Sequence, residues 1–219
     1  MEYNFTLLGK GIEMKRREFI KLSAVAGGSL LASNWLLETE VASAASNEIA
    51  SKNGILQLTL VADAKLIKYG NSSRWAMTYN GVFPAPTLRA NPGDTLKIKL
   101  VNKLNQATNL HTHGLHVSPA KNSDNPLVMV APGESFDYEI KIPLTQKSGT
   151  FWYHPHHHEL SAGQVASGLA GVLVVGDALD QKPVIKNSTE RIIVLADPRI
   201  GKTSAVAATS GMDLMHGRS

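Results

Sequence analysis

Two short stretches, LHTHGLH at Leu110–His116 and TFWYHPHHH at Thr150–His158, hold seven of the eight histidines in the chain. Each contains an H-x-H pair, His111 with His113 and His154 with His156. Side chains two positions apart on an extended strand share a face, so each pair presents two imidazoles in one direction. Pro155 pushes His154 toward the extended region and removes a ladder donor, which suits a strand end or edge. If the two segments are neighbours, four imidazoles converge on one surface. Neutral imidazole suits copper, zinc, iron and nickel, and ligand type alone does not choose among them. A lone histidine on a loop is more often a surface or hydrogen-bonding residue. Two spaced pairs, one followed by Gly114 and one preceded by Trp152 and Tyr153, point instead to a metal centre.

The remaining histidines are weaker candidates. His157 faces away from His154 and His156 if the strand continues, and His158 shares their face only on the same condition. His116 and His216 carry no assignment.

Other chemistries fit poorly. The chain has no cysteine, which excludes a disulfide, a thiolate metal site, a cysteine nucleophile and a lipid-attachment thiol within it. Ser118, Ser161 and Ser167 lie near the histidines, but there is no G-x-S-x-G elbow and no obvious orienting acid. Gly168-Leu-Ala-Gly171 lacks the lysine and the strand–loop–helix setting of a phosphate cradle. The net charge of +4 comes with lysines such as Lys97, Lys99, Lys141 and Lys147 set singly between other residues, as on a solvated sheet face. A nucleic-acid surface would cluster its basic residues among aromatics, so no nucleic-acid partner is expected.

The elements that must position the histidines read as strands. Gly54–Leu66 is β-rich, and Thr95–Val101 alternates Leu/Ile/Leu against Thr/Lys/Lys after the turn Asn91-Pro-Gly-Asp94. A second turn, Ala131-Pro-Gly-Glu134, leads into the alternating run Ser135–Ile142. Gly149 opens the strand holding Phe151-Trp-Tyr153, and Leu169–Val175 is a short apolar strand. No long stretch after residue 52 has a helical period. Several short strands between Pro/Gly turns predict an antiparallel sandwich or barrel. Residues 177–189 read as a polar linker, and Glu190–Ala196 as the first strand of a further domain that occupies 190–219.

The N-terminus reads as an address. From Met14 a basic start, Lys15-Arg16-Arg17, precedes a moderately apolar stretch and the small residues Ala42-Ser43-Ala44, which fit a cleavage site. Arg16-Arg-Glu-Phe-Ile-Lys21 resembles a twin-arginine export signal over residues 14–44. The apolar stretch is interrupted by Gly27, Gly28 and Ser29 and lacks about 20 continuous apolar residues, so no stable membrane anchor is expected. Residues 1–13 precede this signal and are expected to be a start-site extension. The partner implied is the twin-arginine machinery, and the location periplasmic or extracellular.

These motifs together resemble the N-terminal cupredoxin domain of multicopper oxidases. His111-Thr-His113-Gly114 looks like the first copper motif and Trp152-Tyr-His154-Pro-His156 like the second. The surrounding text agrees: Tyr79–Leu88, Asn91–Asp94, Ala131–Ser135, and Gly163-Gln164 through Gly171. The likeness covers residues 52–176 and implies an all-β, cupredoxin-like Greek-key β-sandwich or barrel. In this family, eight histidines from the first and last domains hold a trinuclear copper cluster that reduces dioxygen to water at the expense of a reducing substrate. The resemblance would put His111 on the type 2 copper and His113, His154 and His156 on the type 3 pair. Asp124 lies in the loop where many members carry a proton-relaying acid, although a turn-forming Asp suits that loop equally well. The other four histidines, and the cysteine of the type 1 copper, would come from a C-terminal domain whose motifs are absent here. The resemblance thus implies a truncated oxidase, inactive alone. The alternatives are an exported copper-free binding module, which has no chemical reason to keep both H-x-H pairs, and a small copper-binding or storage protein.

Overall fold

The structure, a computed structural model, describes residues 48–176, 182, 184–185 and 188–196. The expected export signal therefore lies outside the described residues, as does most of the 177–189 linker. Among the described residues, nine strands form two sheets. The first sheet contains β2 (Ile55–Tyr69), β3 (Ser72–Tyr79), β5 (Thr95–Asn102) and β7 (Ser135–Lys141), in the order β3-β2-β5-β7. The second contains β1 (Glu48–Ala50), β4 (Thr87–Ala90), β6 (His111–His113), β8 (Gly149–His154) and β9 (Gly171–Val175), in the order β1-β4-β9-β8-β6.

Period-two patterning decides which faces meet. In β5, Leu96, Ile98 and Leu100 are buried while Lys97 and Lys99 are exposed, and in β7 Tyr138 and Ile140 are buried between exposed Asp137, Glu139 and Lys141. The antiparallel register sets Leu96 opposite Ile140 and Ile98 opposite Tyr138. Leu56 and Leu60 of β2 join this face, and Leu88, Tyr153, Leu173 and Val175 of the second sheet close the core from the other side. Each such side chain stabilises the fold by about 1.5–3 kcal/mol on burial. The lysines stand on the solvated face, as their spacing predicts.

The expectation of an antiparallel sandwich needs correction, because both sheets are mixed. β2 pairs parallel with β5, β1 with β4, and β4 with β9. The cause is the crossing of the chain between layers. After the β2–β3 hairpin it passes to β4 in the second sheet and returns as β5 beside β2, a connection that can produce parallel neighbours. Alternation within one strand does not report this.

Three further differences have local reasons. β3 was not predicted, because Ala76, Met77, Thr78 and Tyr79 are all buried and show no alternation. A short helix, α1 (Ser161–Ala166), follows the histidine run and buries Gly163 and Gln164; at six residues it is too short to show a period. Glu190–Ala196, expected as a strand, carries no strand. Its apolar residues Ile193 and Leu195 are exposed, and no neighbouring strand among the described residues offers the ladder that a strand requires. Arg89 of β4 ion-pairs with both Glu48 of β1 and Glu190. No described helix is long and apolar enough to cross a membrane.

Candidate metal centre

β6 is the edge strand of the second sheet, and β8 is its neighbour. Their antiparallel register places His111 directly opposite His154, and His113 opposite Trp152. The two histidine segments, 41 residues apart between His113 and His154, are thus adjacent strands. Thr112 and Tyr153 turn inward and are fully buried, so the imidazoles stand on the outer face of the sheet. Gly114 ends β6 with φ of 90°, and a Cβ there would lie 2.8 Å from the Phe151 ring. That position needs glycine both for its backbone and for its space.

All four predicted histidines come together. Ring centroids of His111 lie 5.5 Å from His113, 5.3 Å from His154 and 5.2 Å from His156. One nitrogen from each of His111, His113 and His154 falls within 4.8 Å of the other two, the one such group of three among the described residues. His156 follows the end of β8 and stands slightly apart, 6.1 Å from the His154 centroid. Trp152 stacks on His154 at 3.9 Å and on His113 at 4.9 Å, walling one side of the cluster. His116 and His157 are not part of this group of three. The His116 amide donates to Gln146, and His157 Nδ1 lies 2.9 Å from the His158 carbonyl oxygen.

The surroundings fix the tautomer of two of the four rings. His111 Nδ1 donates to Asp124 Oδ1 at 2.9 Å, and His154 Nδ1 donates to the Pro155 carbonyl at 2.8 Å. In the neutral form each of these two rings therefore carries its lone pair on Nε2, the tautomer that outer hydrogen bonds select in metal-ligating histidines. Ser161 Oγ at the start of α1 donates to the same Pro155 carbonyl at 2.7 Å. Burial pushes the His154 pKa down to about 4, and the neighbouring imidazoles of His111, His113 and His156 add to the shift against the Pro155 hydrogen bond. His154 is accordingly neutral, as a ligand must be.

Asp124 is buried beneath this face. Besides His111, its carboxylate accepts from the Thr112 amide at 3.0 Å and from Thr112 Oγ1 at 2.5 Å. Burial favours its protonated form, but the hydrogen bonds from His111 and Thr112 outweigh that and hold its pKa below the usual value. It is ionised and orients His111, a role beyond that of a turn former. Thr112 and Asn109 complete the surroundings and were not singled out in the sequence, and Ser161 was weighed there only as a nucleophile. Single polar residues at such positions carry no periodic signal.

The donor set fits an imidazole-preferring ion. His113 Nδ1 and His154 Nε2 are 3.2 Å apart. Two ligands of one tetrahedral ion with metal–nitrogen bonds of about 2.05 Å stand about 3.3 Å apart. With no thiolate in the chain, the site is purely imidazole.

Comparison with known proteins decides the family. Residues 61–180 match the family model described as Multicopper oxidase, which is more than half of the chain. The chain belongs to the multicopper oxidase family. It is 39% identical over 127 residues to the multicopper oxidase mco of Staphylococcus epidermidis, covering 58% of this chain and 28% of that protein. It is 30% identical over 192 residues to copper resistance protein A of Escherichia coli, covering 85% of this chain and 29% of that protein. Among solved structures, a multicopper oxidase from Campylobacter jejuni, described as a metallo-oxidase, superposes with a TM-score of 0.53 at 37% identity. That match covers 57% of this chain and 26% of the other. The chain thus spans under a third of the length of these relatives. The family is one of oxidoreductases, and copper is the ion expected at the histidine cluster.

Proposed function

We propose that this chain supplies half of the histidines of a trinuclear copper cluster in an exported oxidase. The observation that carries the reading is the convergence of His111, His113, His154 and His156 on one face, with tautomers set by Asp124 and Pro155. In this reading His111 is the type 2 ligand, and His113, His154 and His156 serve the type 3 pair. The chemistry that copper supplies there, when bound, is one-electron transfer from a reducing substrate onto dioxygen, which is reduced to water.

The protein's own groups have separate tasks. His154 and His111 offer fixed Nε2 lone pairs, and Trp152 covers one flank of the cluster. Asp124 holds His111 in place and is the acid best situated to relay protons toward the cluster. A type 1 copper needs a cysteine thiolate, and the sequence has none, so the chain alone is expected to show negligible substrate-driven oxygen consumption. In the same reading residues 14–44 direct export by the twin-arginine route, and 52–176 form the N-terminal cupredoxin domain.

The test is copper stoichiometry with electron paramagnetic resonance on the purified chain, beside His111→Ala and His154→Ala. The expected outcome is a type 2 Cu(II) signal in the unaltered chain and at least a tenfold loss of affinity in both variants. A chain that takes up no copper, or variants that bind it as well as the parent, would overturn the reading.

A further inference from the structure

We propose that Asn109 is a positioning residue that places His156 and couples it to the loop carrying Asp124. Only its metal readout rests on the copper reading above. β8 ends at His154, and Pro155 has no amide hydrogen, so His156 stands beyond the sheet ladder. Its amide donates instead to Asn109 Oδ1 at 2.6 Å. The other end of the same side chain donates through Nδ2 to the carbonyls of Pro126 at 3.2 Å and Val128 at 3.1 Å. Those carbonyls belong to the segment that begins two residues after Asp124. Asn109 itself lies two residues before His111 and is fully buried.

One amide group therefore joins three segments: the approach to β6, the His154–His156 turn and the Asp124 loop. The network admits a single orientation. Turning the amide over would set its NH2 against the His156 N–H and its oxygen against two carbonyls, losing all three hydrogen bonds in a buried place. His156 and His111 are both tied to Asn109, the first by hydrogen bond and the second by chain, with their rings 5.2 Å apart. The span between these two candidate ligands is thus set by a residue that touches neither ring in its hydrogen bonding.

The experiment uses the full chain, isotope-labelled and metal-free, followed by Cu(II) titration. Asn109→Asp keeps the acceptor for His156 but removes both donors to the loop; Asn109→Ala removes everything. In Asn109→Asp the His156 amide proton is expected to stay downfield, while the His111 Nδ1–H resonance, bonded to Asp124, shifts. In Asn109→Ala the His156 amide moves upfield and exchanges faster, and the copper Kd rises about 10- to 100-fold, the usual effect of losing an outer hydrogen-bond partner. A folded Asn109→Ala variant with an unchanged His156 amide and copper affinity would overturn the proposal. So would an Asn109→Asp variant whose His111 resonance does not move, and this variant decides the matter if the alanine variant fails to fold. If the unaltered chain binds no copper, the function reading fails, whereas the metal-free resonances still decide the role of Asn109.

Discussion

Asp124→Ala is expected to destabilise the metal-free chain by about 3 kcal/mol and to weaken copper binding about 10- to 100-fold. The carboxylate accepts three hydrogen bonds, from His111 Nδ1, the Thr112 amide and Thr112 Oγ1, and its side chain is only 4% exposed. Alanine leaves the buried Thr112 donors without a partner, and each such donor costs about 1–3 kcal/mol. His111 also loses the bond that fixes its ring orientation and its Nδ1–H tautomer, which is why affinity falls together with stability. Asp124→Asn should fall between, because an amide oxygen can accept but its NH2 must then meet a donor. The acid limb gives an independent check. The folded pKa of Asp124 lies below its ordinary 3.8, so its contribution is present above that value and is lost as pH falls through the folded pKa. The Asp124→Ala variant should therefore show a flatter decline than the parent below about pH 4. Urea unfolding across pH measures both effects; a variant as stable as the parent at neutral pH would show that Asp124 orients nothing.

The parts of this site visible in the sequence were those with a fixed spacing. An H-x-H pair on a strand has one geometric meaning, and the pairing of His111 with His154 realises it. The solvated lysines of β5 and β7 were legible for the same reason, since alternation and burial coincide in antiparallel neighbours with one wet face. Legibility ended where position depends on chain crossings or on single polar contacts. The parallel pairing of β2 with β5 depends on the route through the second sheet, which no local pattern encodes. β3 was hidden because four consecutive buried residues look like neither period. Glu190–Ala196 misled in the opposite way, since β-branched residues state a preference for a ladder without supplying the neighbour that makes one. Asp124 was visible as an acid in a suggestive loop, but its three donors required the fold to bring Thr112 and His111 over it. Asn109 gave no sign at all, because its partners lie 17 to 47 residues away.

Gly171→Ala is expected to cost about 3 kcal/mol or more, a large penalty for one methyl group on an ordinary strand. Gly171 opens β9 directly opposite Tyr153 of β8. A Cβ there would stand 2.2 Å from Tyr153 Cζ and 2.3 Å from its hydroxyl oxygen, far inside van der Waals contact. The ring has nowhere to go: Tyr153 is fully buried, its hydroxyl donates to the Pro86 carbonyl at 2.6 Å, and the Tyr79 ring lies 5.6 Å away. Glycine sits in this strand because another residue's side chain passes over its backbone. The strain would have to move β8, and the next residue in β8 is His154, so copper affinity should fall along with stability. A double-mutant cycle separates this clash from a general weakening of β9. Gly171→Ala combined with Tyr153→Leu should be more stable than the sum of the two single losses predicts, with a coupling of about 1–3 kcal/mol. Strictly additive losses in urea unfolding would mean that the methyl group is accommodated without touching Tyr153, and the predicted route from β9 to the histidines would then be wrong.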